Sequence, residues 1–125
     1  MVYVLTTVLN AKKEVKRLMV SLKPYLRGDF VWLVLDAGSS DGTWESLITM
    51  ESENLQIFRI PGIGVFEALN FLQSKVPRKS WIWVLNAGDT PLVSLDELQN
   101  VLKVDVDVVA GDVLLDDNRN KFLFL

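Results

Sequence analysis

The chain has 125 residues, half of them hydrophobic, and a formal net charge of −3; this predicts a single folded domain, residues 1–125, and excludes wholesale disorder. It contains no cysteine and no histidine, which excludes disulfides, thiolate nucleophiles, histidine acid–base catalysis and the usual zinc sites. Any metal ion would therefore be a hard cation held by oxygen ligands, such as Mg²⁺ or Mn²⁺.

The predicted elements alternate between strands and helices. In chain order they are strand Val2–Leu9, helix Ala11–Leu26, strand Phe30–Leu35, helix Thr43–Met50, strand Leu55–Ile60, helix Val65–Val76, strand Trp81–Leu85, helix Ser94–Leu102, strand Val106–Leu115 and strand Lys121–Leu125. Uniformly apolar strands that alternate with helices predict a mostly parallel, doubly wound sheet covered by helices on both faces, which is a three-layer α/β fold.

Two of these helices carry specific sequence signals. In the first predicted helix, apolar side chains recur with the i, i+3, i+4, i+7 spacing of an amphipathic helix, at Val15, Leu18, Met19 and Leu22. In the last, Ser94 and Glu97 stand three residues apart, as in a capping box. The first signal predicts a buried helix face, and the second predicts a helix start.

Positive charge is concentrated around the first predicted helix. Residues 11–27 contain the basic residues Lys12, Lys13, Lys16, Arg17, Lys23 and Arg27. The acid among them is Glu14. A solvated helix face is the simplest interpretation, and the alternative is attraction to an anionic membrane surface or a phosphorylated partner.

The first nine residues, MVYVLTTVL, are apolar but too few to span a bilayer, and they lack the basic segment of a signal peptide. We interpret them as a strand. The absence of cysteine agrees with a cytoplasmic location. We therefore expect a cytoplasmic protein, with peripheral contact at the inner face of the membrane as a further expectation from the basic segment.

The stretch from Trp32 to Thr43, WLVLDAGSSDGT, is the most informative part of the sequence. It reads as a buried strand that runs into an acidic, Gly/Ser-rich turn and then into a helix. Ligands bind at the carboxyl ends of strands in open α/β sheets. Asp36 is therefore a candidate to bind a base or ribose or to face a cation; the alternative is a turn residue that binds nearby backbone amides. Asp41 precedes Gly42 and is predicted to cap the helix.

A second strand ends in a similar way between Trp81 and Asp89, WIWVLNAGD. Because parallel strands share one carboxyl edge, we expect Asp36 and Asp89 at the same edge of the sheet. Asp89 is a candidate to hold a divalent cation on a diphosphate, since Mg²⁺ often takes one or two carboxylates plus phosphate oxygens. The alternative is a turn in which Asn86 and Asp89 bind their own backbone.

The segment Gly62-Ile-Gly64-Val-Phe-Glu67 lies between a strand and a helix, as a dinucleotide-binding fingerprint does. Glu67 stands in place of the third glycine, where its carboxylate would repel a pyrophosphate. The sequence also lacks the GxxxxGK[ST] phosphate-binding loop. Neither of these two nucleotide-binding motifs is therefore predicted.

Five segments, taken in order, resemble family 2 glycosyltransferases, which have the GT-A fold. Thr7–Asn10 is similar to the family's opening strand and Tyr-Asn turn, and Leu35–Thr43 to its Asp-Gly-Gly-Ser-x-Asp-Gly-Thr segment. Gly64–Asn70 is similar to Gly-Ile-Tyr-Asp-Ala-Met-Asn, and Leu85–Asp89 to Leu-Asn-Ser-Gly-Asp, one branch's form of the Asp-x-Asp metal motif. Val108–Asp112 is similar to a further strand of that branch.

This resemblance implies a GT-A-like, Rossmann-like domain that binds a nucleotide-sugar donor, commonly a UDP-sugar, with Mg²⁺ or Mn²⁺ on the diphosphate. It implies sugar transfer to a glycan or lipid-linked acceptor and no nucleic-acid partner. By their positions in the family's segments, the implied donor-binding residues are Thr7, Asn10, Asp36, Asp41, Glu67 and Asn70. Asp89 is the implied metal ligand, and Asp112 is the candidate catalytic base. A cation at Asp89 would offset the charge of the diphosphate leaving group.

The chain departs from the family pattern at three positions. Glu67 replaces the usual Asp, Phe66 the usual Tyr, and Ala37 an acid or Gly. The match covers nearly the whole chain but only the N-terminal half of a typical family domain, so we expect the chain to lack the acceptor-side half. The competing hypothesis is a non-catalytic remnant that binds a nucleotide weakly or acts through protein contacts.

The last five residues, KFLFL, predict an apolar strand. Such a strand needs a pairing partner, since an exposed apolar edge promotes association. Two-fold dimers are the commonest protein assembly. We therefore expect a homodimer, with the terminal strand folding back on its own sheet as the alternative.

Overall fold

The structure is a computed structural model that describes residues 1–103 and 105, together with the backbone of the strands at 113–116 and 121–124. The chain divides into two compact units, Met1–Leu92 and Val93–Leu125. The first holds a four-stranded sheet and the second a two-stranded sheet. That residues 1–125 act as a single domain stays a prediction.

Strands and helices alternate through the first unit. In chain order they are β1 Val2–Val8, α1 Lys12–Leu22, β2 Phe30–Asp36, α2 Thr43–Met50, β3 Leu55–Arg59, α3 Val65–Ser74 and β4 Trp81–Val84. The strand order is β3-β2-β1-β4, and each neighbouring pair is parallel. The connections through α1 and α2 step in one direction and the connection through α3 steps back. Since such crossovers are right-handed, α1 and α2 cover one face and α3 covers the other, which confirms the predicted three-layer, Rossmann-like α/β fold.

On the α3 face, buried side chains of the two central strands meet the helix. The residues of this cluster are Leu5, Val31, Leu33, Leu35, Ala68 and Leu72. Ala68 and Leu72 are four residues apart and so lie on one side of α3. The odd-numbered positions of β1 and β2 supply the sheet side of this cluster, as the two-residue alternation of a strand requires.

The even-numbered positions of β1 and β2 point to the face that α1 and α2 cover. The α1 residues Val15, Leu18 and Leu22 are fully buried, which confirms the predicted apolar helix face. Trp32 is also fully buried, and its indole N–H donates to Thr6 Oγ1 at 2.9 Å. Tyr25 follows α1 in the chain, and the centroid of its ring lies 5.8 Å from the centroid of the Trp83 ring.

Helix α1 ends at Leu22, four residues before the predicted end at Leu26. Pro24 explains the difference, because it has no backbone N–H to donate to a helical carbonyl. With 11 residues, α1 is the longest helix that the structure describes. None of the helices in the described part of the chain combines the length and apolar character that a membrane crossing requires.

The second unit contains α4 Leu95–Val101, β5 Val113–Asp116 and β6 Lys121–Phe124. Helix α4 begins with the predicted capping box: the backbone N–H of Glu97 donates to Ser94 Oγ, and the backbone N–H of Ser94 donates to Glu97 Oε2. Strand β6 pairs antiparallel with β5, so the terminal strand has a partner within its own chain. The homodimer stays a prediction. The first part of the strand predicted at Val106–Leu115 lies outside the described residues.

Candidate functional site

The carboxyl edge of the four-stranded sheet is where the fold offers a binding site. The register places Val8, Asp36 and Arg59 side by side at the ends of β1, β2 and β3. The chain leaves β1 toward β2 and β3 on one side and returns to add β4 on the other side. Ligands bind in the crevice at such a reversal of strand order. Two strand spacings put the axes of β2 and β4 about 10 Å apart.

Asp36 is a polar side chain at this edge that is fully buried, with an exposed fraction of 0%. Its Oδ1 atom accepts hydrogen bonds from the backbone N–H groups of Gly38 and Ser39, both at 2.8 Å. These bonds are those that the turn interpretation requires. The second oxygen, Oδ2, is buried and has no hydrogen-bond partner among the described residues. A buried acceptor without a donor is unfavourable, so Oδ2 is the atom at this edge that most needs a ligand.

Arg59 is a neighbour of Asp36 that sequence reasoning missed. Its Nε lies 3.7 Å from Asp36 Oδ1, and its Nη2 donates to the carbonyl oxygen of Ser39 at 3.2 Å. The guanidinium carbon is 5.6 Å from the centroid of the Trp44 ring. The side chain of Arg59 is 37% exposed, whereas that of Asp36 is fully buried. The sequence shows a basic residue near the end of a predicted strand. It does not show the order of the strands, which is needed to pair Arg59 with Asp36.

The turns after β1 and β2 are joined by hydrogen bonds that involve Asn10. The backbone N–H of Asn10 donates to Ser39 Oγ at 2.8 Å, and the backbone N–H of Ser40 donates to Asn10 Oδ1 at 2.8 Å. The backbone of Asn10 has a positive φ of 50°, a conformation that Asn tolerates better than most residues. Asn10 therefore fixes one turn against the other, whether or not it also contacts a ligand.

Two more bonds join the same turns at the start of α1. The backbone N–H of Ala11 donates to Thr43 Oγ1 at 3.0 Å, and that of Lys12 donates to Asp41 Oδ2 at 3.3 Å. Asp41 Oδ1 in turn accepts from the backbone N–H and the hydroxyl of Thr43. We call the four bonds between residues 10–12 and residues 39–43 the turn-to-turn network. It occupies the backbone N–H groups of Asn10, Ala11, Lys12 and Ser40, so these donors are already bonded within the protein.

Asp41 is not the N-cap that the sequence predicts. The N-cap position belongs to Gly42, whose φ of 95° is left-handed and suits a residue without a Cβ. Asp41 precedes it and still accepts a hydrogen bond from the first backbone N–H of α2, that of Thr43. Its carboxylate thereby serves the starts of both α1 and α2.

The pKa of Asp41 is lowered from its ordinary value of 3.8, first by the hydrogen bond from the Thr43 hydroxyl and then by backbone hydrogen bonds. A carboxyl whose pKa falls on folding stabilises the fold above its unfolded pKa, and this contribution disappears as the pH drops through the folded pKa. We expect Asp41→Asn to lower the free energy of unfolding at about pH 6. At about pH 3 the free energy of unfolding of the variant should be closer to that of the wild type. Urea unfolding at both pH values measures the difference; an equal difference at both would contradict this role.

Asp89 lies in an exposed turn just beyond β4. The backbone N–H of Asn86 donates to Asp89 Oδ2 at 2.7 Å, and the backbone N–H of Asp89 donates to the carbonyl oxygen of Asn86 at 3.0 Å. This is the turn in which Asn86 and Asp89 bind their own backbone, as in the alternative interpretation. Asp89 Oδ1 accepts no hydrogen bond from the described residues. The described residues contain no group of three or more Asp or Glu side chains that could hold a metal ion. A cation here would depend on Asp89 together with oxygens of a bound ligand.

The remaining predicted site residues are more dispersed. Thr7 lies half-buried near the end of β1. Glu67 and Asn70 are exposed on α3; Asn70 is two residues from each of the buried Ala68 and Leu72, so it is on the opposite side of the helix. Asp112 lies outside the described residues. The structure therefore brings Asn10, Asp36 and Asp41 together in adjoining turns. Within the described part of the chain, no side-chain hydrogen bond joins Thr7, Glu67, Asn70 or Asp89 to them.

No protein-family model matches the chain, and no similar sequence is found among curated proteins. The residues at the carboxyl edge of the sheet are accordingly the basis for assigning a function.

Proposed function

We propose that the chain binds a nucleoside diphosphate sugar, with UDP as its nucleotide, at the carboxyl edge of the four-stranded sheet, as family 2 glycosyltransferases do. The observation that supports this most is the buried, unpartnered Oδ2 of Asp36. It is at the carboxyl end of a central strand in a sheet whose strand order reverses nearby, which is where open α/β folds bind ligands.

The chemistry of Oδ2 indicates what it would bind. A carboxylate oxygen is an acceptor only, so the complementary ligand group is an N–H or O–H donor, such as the imide N–H of uracil. Oδ1 is already committed to two backbone amides. Because Oδ2 is buried, the donor reaches it only if a neighbouring group moves. Arg59 is the neighbour for which we propose this movement, since its side chain is partly exposed and its Nε lies 3.7 Å from Asp36 Oδ1. Displaced from Asp36, its guanidinium would face the anionic ligand.

Asp89 is the residue that would hold a divalent cation in this proposal. Its exposed carboxylate fits a hard cation whose other ligands are phosphate oxygens and water. Such a cation would offset negative charge on the nucleoside diphosphate. Thr7 lies near the end of β1, the strand between β2 and β4, and Asn10 lies two residues beyond that strand. Glu67 and Asn70 are included only because of the resemblance to family 2 glycosyltransferases.

We predict that UDP binding is enhanced by Mn²⁺ and that Asp89→Ala removes the enhancement. The reason is that the described residues contain no group of three or more Asp or Glu side chains that could hold a cation, so that enhancement by a cation at this turn would depend on Asp89. Calorimetric titration with UDP, GDP and ADP, each with and without Mn²⁺, measures both the enhancement and the base preference. Asp89→Asn tests the charge separately, because its amide oxygen can still accept from the backbone N–H of Asn86.

A matched control is Asp29→Ala, which removes one exposed carboxylate just before β2, at the amino edge of the sheet. It should bind UDP–Mn²⁺ like the wild type. Should Asp89→Ala do the same, the cation assignment is wrong. If none of UDP, GDP and ADP binds the wild-type chain, the proposal that the chain binds a nucleotide fails.

Binding and transfer are separable parts of the proposal. Release of UDP from UDP-sugars, with and without candidate glycan acceptors, measures transfer and its hydrolytic side reaction. Binding without UDP release would favour the alternative of a non-catalytic nucleotide-binding domain.

A further inference from the structure

The outer side of α1 carries a concentrated positive surface that the nucleotide site does not use. We call it the basic face, and it consists of Lys13, Lys16, Arg17, Val20 and Lys23. All five side chains are exposed. The buried residues of the same helix, Val15, Leu18 and Leu22, lie on the opposite side, so the basic face points away from the sheet.

The cations of the basic face are not neutralised by neighbours. None of them lies within ion-pair distance of an acidic group in the described part of the chain. Glu14, the acid of this helix, lies at the border of the face, one helical step from Lys13. The protein as a whole is acidic, with a net charge of −3. The basic face is therefore a local feature that opposes the overall charge.

Val20 adds an apolar group to the middle of this charged surface. It is 73% exposed and lies three and four residues from Arg17 and Lys16, which makes all three neighbours on the helix surface. Val20 can therefore enter the headgroup region of a bilayer while the Lys and Arg side chains around it meet anionic headgroups. Nucleic-acid phosphates would attract the cations but offer nothing to the isopropyl group.

The shape of the surface also matters for the choice of partner. Four of the five side chains extend along the 11 residues of α1, a length of about 16 Å, and Lys23 is the C-cap residue that follows. Beyond its end, Lys23 and Arg27 border an open cavity of about 500 Å³ that Met19 and Glu53 also line. Glu53 brings a negative charge to that cavity, so the cavity is not a dedicated anion pocket. Its basic residues only extend the cationic surface beyond the helix. A broad, flat array of anions fits this arrangement better than a single bound phosphate.

We propose that the basic face binds the surface of an anionic lipid bilayer, with Val20 inserted among the headgroups. The proposal is independent of nucleotide binding, because the basic face lies on the outside of a helix and the candidate nucleotide site lies at the sheet edge. Each Lys or Arg held near an anionic bilayer strengthens binding about fivefold, and the attraction weakens with salt.

The test is co-sedimentation of the full chain with vesicles of phosphatidylcholine and phosphatidylserine at a ratio of about 70 to 30, with pure phosphatidylcholine as the neutral comparison. We expect binding to the anionic vesicles, loss of that binding at high salt, and little binding to the neutral ones. The combined variant Lys13→Gln, Lys16→Gln, Arg17→Gln should bind about 100-fold more weakly, since three cations are removed. Val20→Thr should weaken binding about fourfold, the effect of roughly one buried methylene.

The matched control removes three cations that follow α3, the helix on the other face of the sheet: Lys75→Gln, Arg78→Gln and Lys79→Gln. The two triple variants have the same net charge, and all three control side chains are exposed in the wild type. The control should bind anionic vesicles like the wild type. Equal loss in both variants would mean that net charge, and not the basic face, governs binding. No binding of the wild type, or binding to soluble polyglutamate but not to vesicles, would overturn the proposal.

Discussion

Asp36→Ala should lower the free energy of unfolding by about 2–4 kcal/mol, as expected for the loss of two hydrogen bonds to a charged, buried acceptor. The carboxylate accepts from the backbone N–H groups of Gly38 and Ser39 and is fully buried. Alanine would leave both amides without their acceptor. Urea unfolding followed by circular dichroism measures the change, and a loss well under 1 kcal/mol would show that the turn does not depend on this side chain.

Asp36→Asn separates the turn role from the ligand role. Its amide oxygen can still accept from Gly38 and Ser39, while its NH₂ group replaces the buried Oδ2 acceptor with a donor. We therefore expect a free energy of unfolding within about 1 kcal/mol of the wild type. In the same protein we expect UDP affinity to fall by about 1–3 kcal/mol, the range for hydrogen bonds to charged groups. A variant that is both stable and fully able to bind UDP would leave Asp36 with the turn role alone.

Thr43→Val should cost about 2 kcal/mol of stability, because it leaves the backbone N–H of Ala11 without an acceptor and removes the hydroxyl that donates to Asp41. Valine has nearly the shape of threonine, so the fully buried site is not opened into a cavity. Chemical denaturation of the variant and the wild type at neutral pH gives the difference.

Thr43→Ser is the control for this change, since serine keeps the hydroxyl and loses only a methyl group. It should retain most of the stability that valine loses. If serine proves as destabilising as valine, packing of the methyl group, and not the turn-to-turn network, accounts for the effect.

The sequence predicted the layers of this fold well because its apolar patterns are strong. Six positions from Phe30 to Leu35 are uniformly apolar, as in a strand buried on both faces. Helix α2 has the predicted bounds, Thr43–Met50. The end of α1 was wrong, because the apolar spacing continues to Leu26 although Pro24 intervenes. Periodicity reports which face is buried, but it is a weaker guide to where backbone hydrogen bonding stops.

The site was predicted less completely than the fold, because its contacts join distant parts of the chain. Asp36 was singled out by its place after an apolar strand. Its contact with Arg59 depends on β2 lying beside β3, which no local pattern states. Asp41 looked like a cap because an acid before Gly-Thr is typical of one, but the left-handed backbone at Gly42 moved the N-cap one residue on.

The turn-to-turn network has a consequence for how the chain folds. Helix α1 has no side-chain cap of its own, since Ala11 occupies the N-cap position. The N–H groups of Ala11 and Lys12 find acceptors only about thirty residues later, on Thr43 and Asp41. An α1 peptide cut from the chain would therefore fray at its start. The opening turn of α1 is fully hydrogen-bonded only with the second strand and the start of the second helix beside it. We therefore expect the two βα units to open and close as one cooperative block.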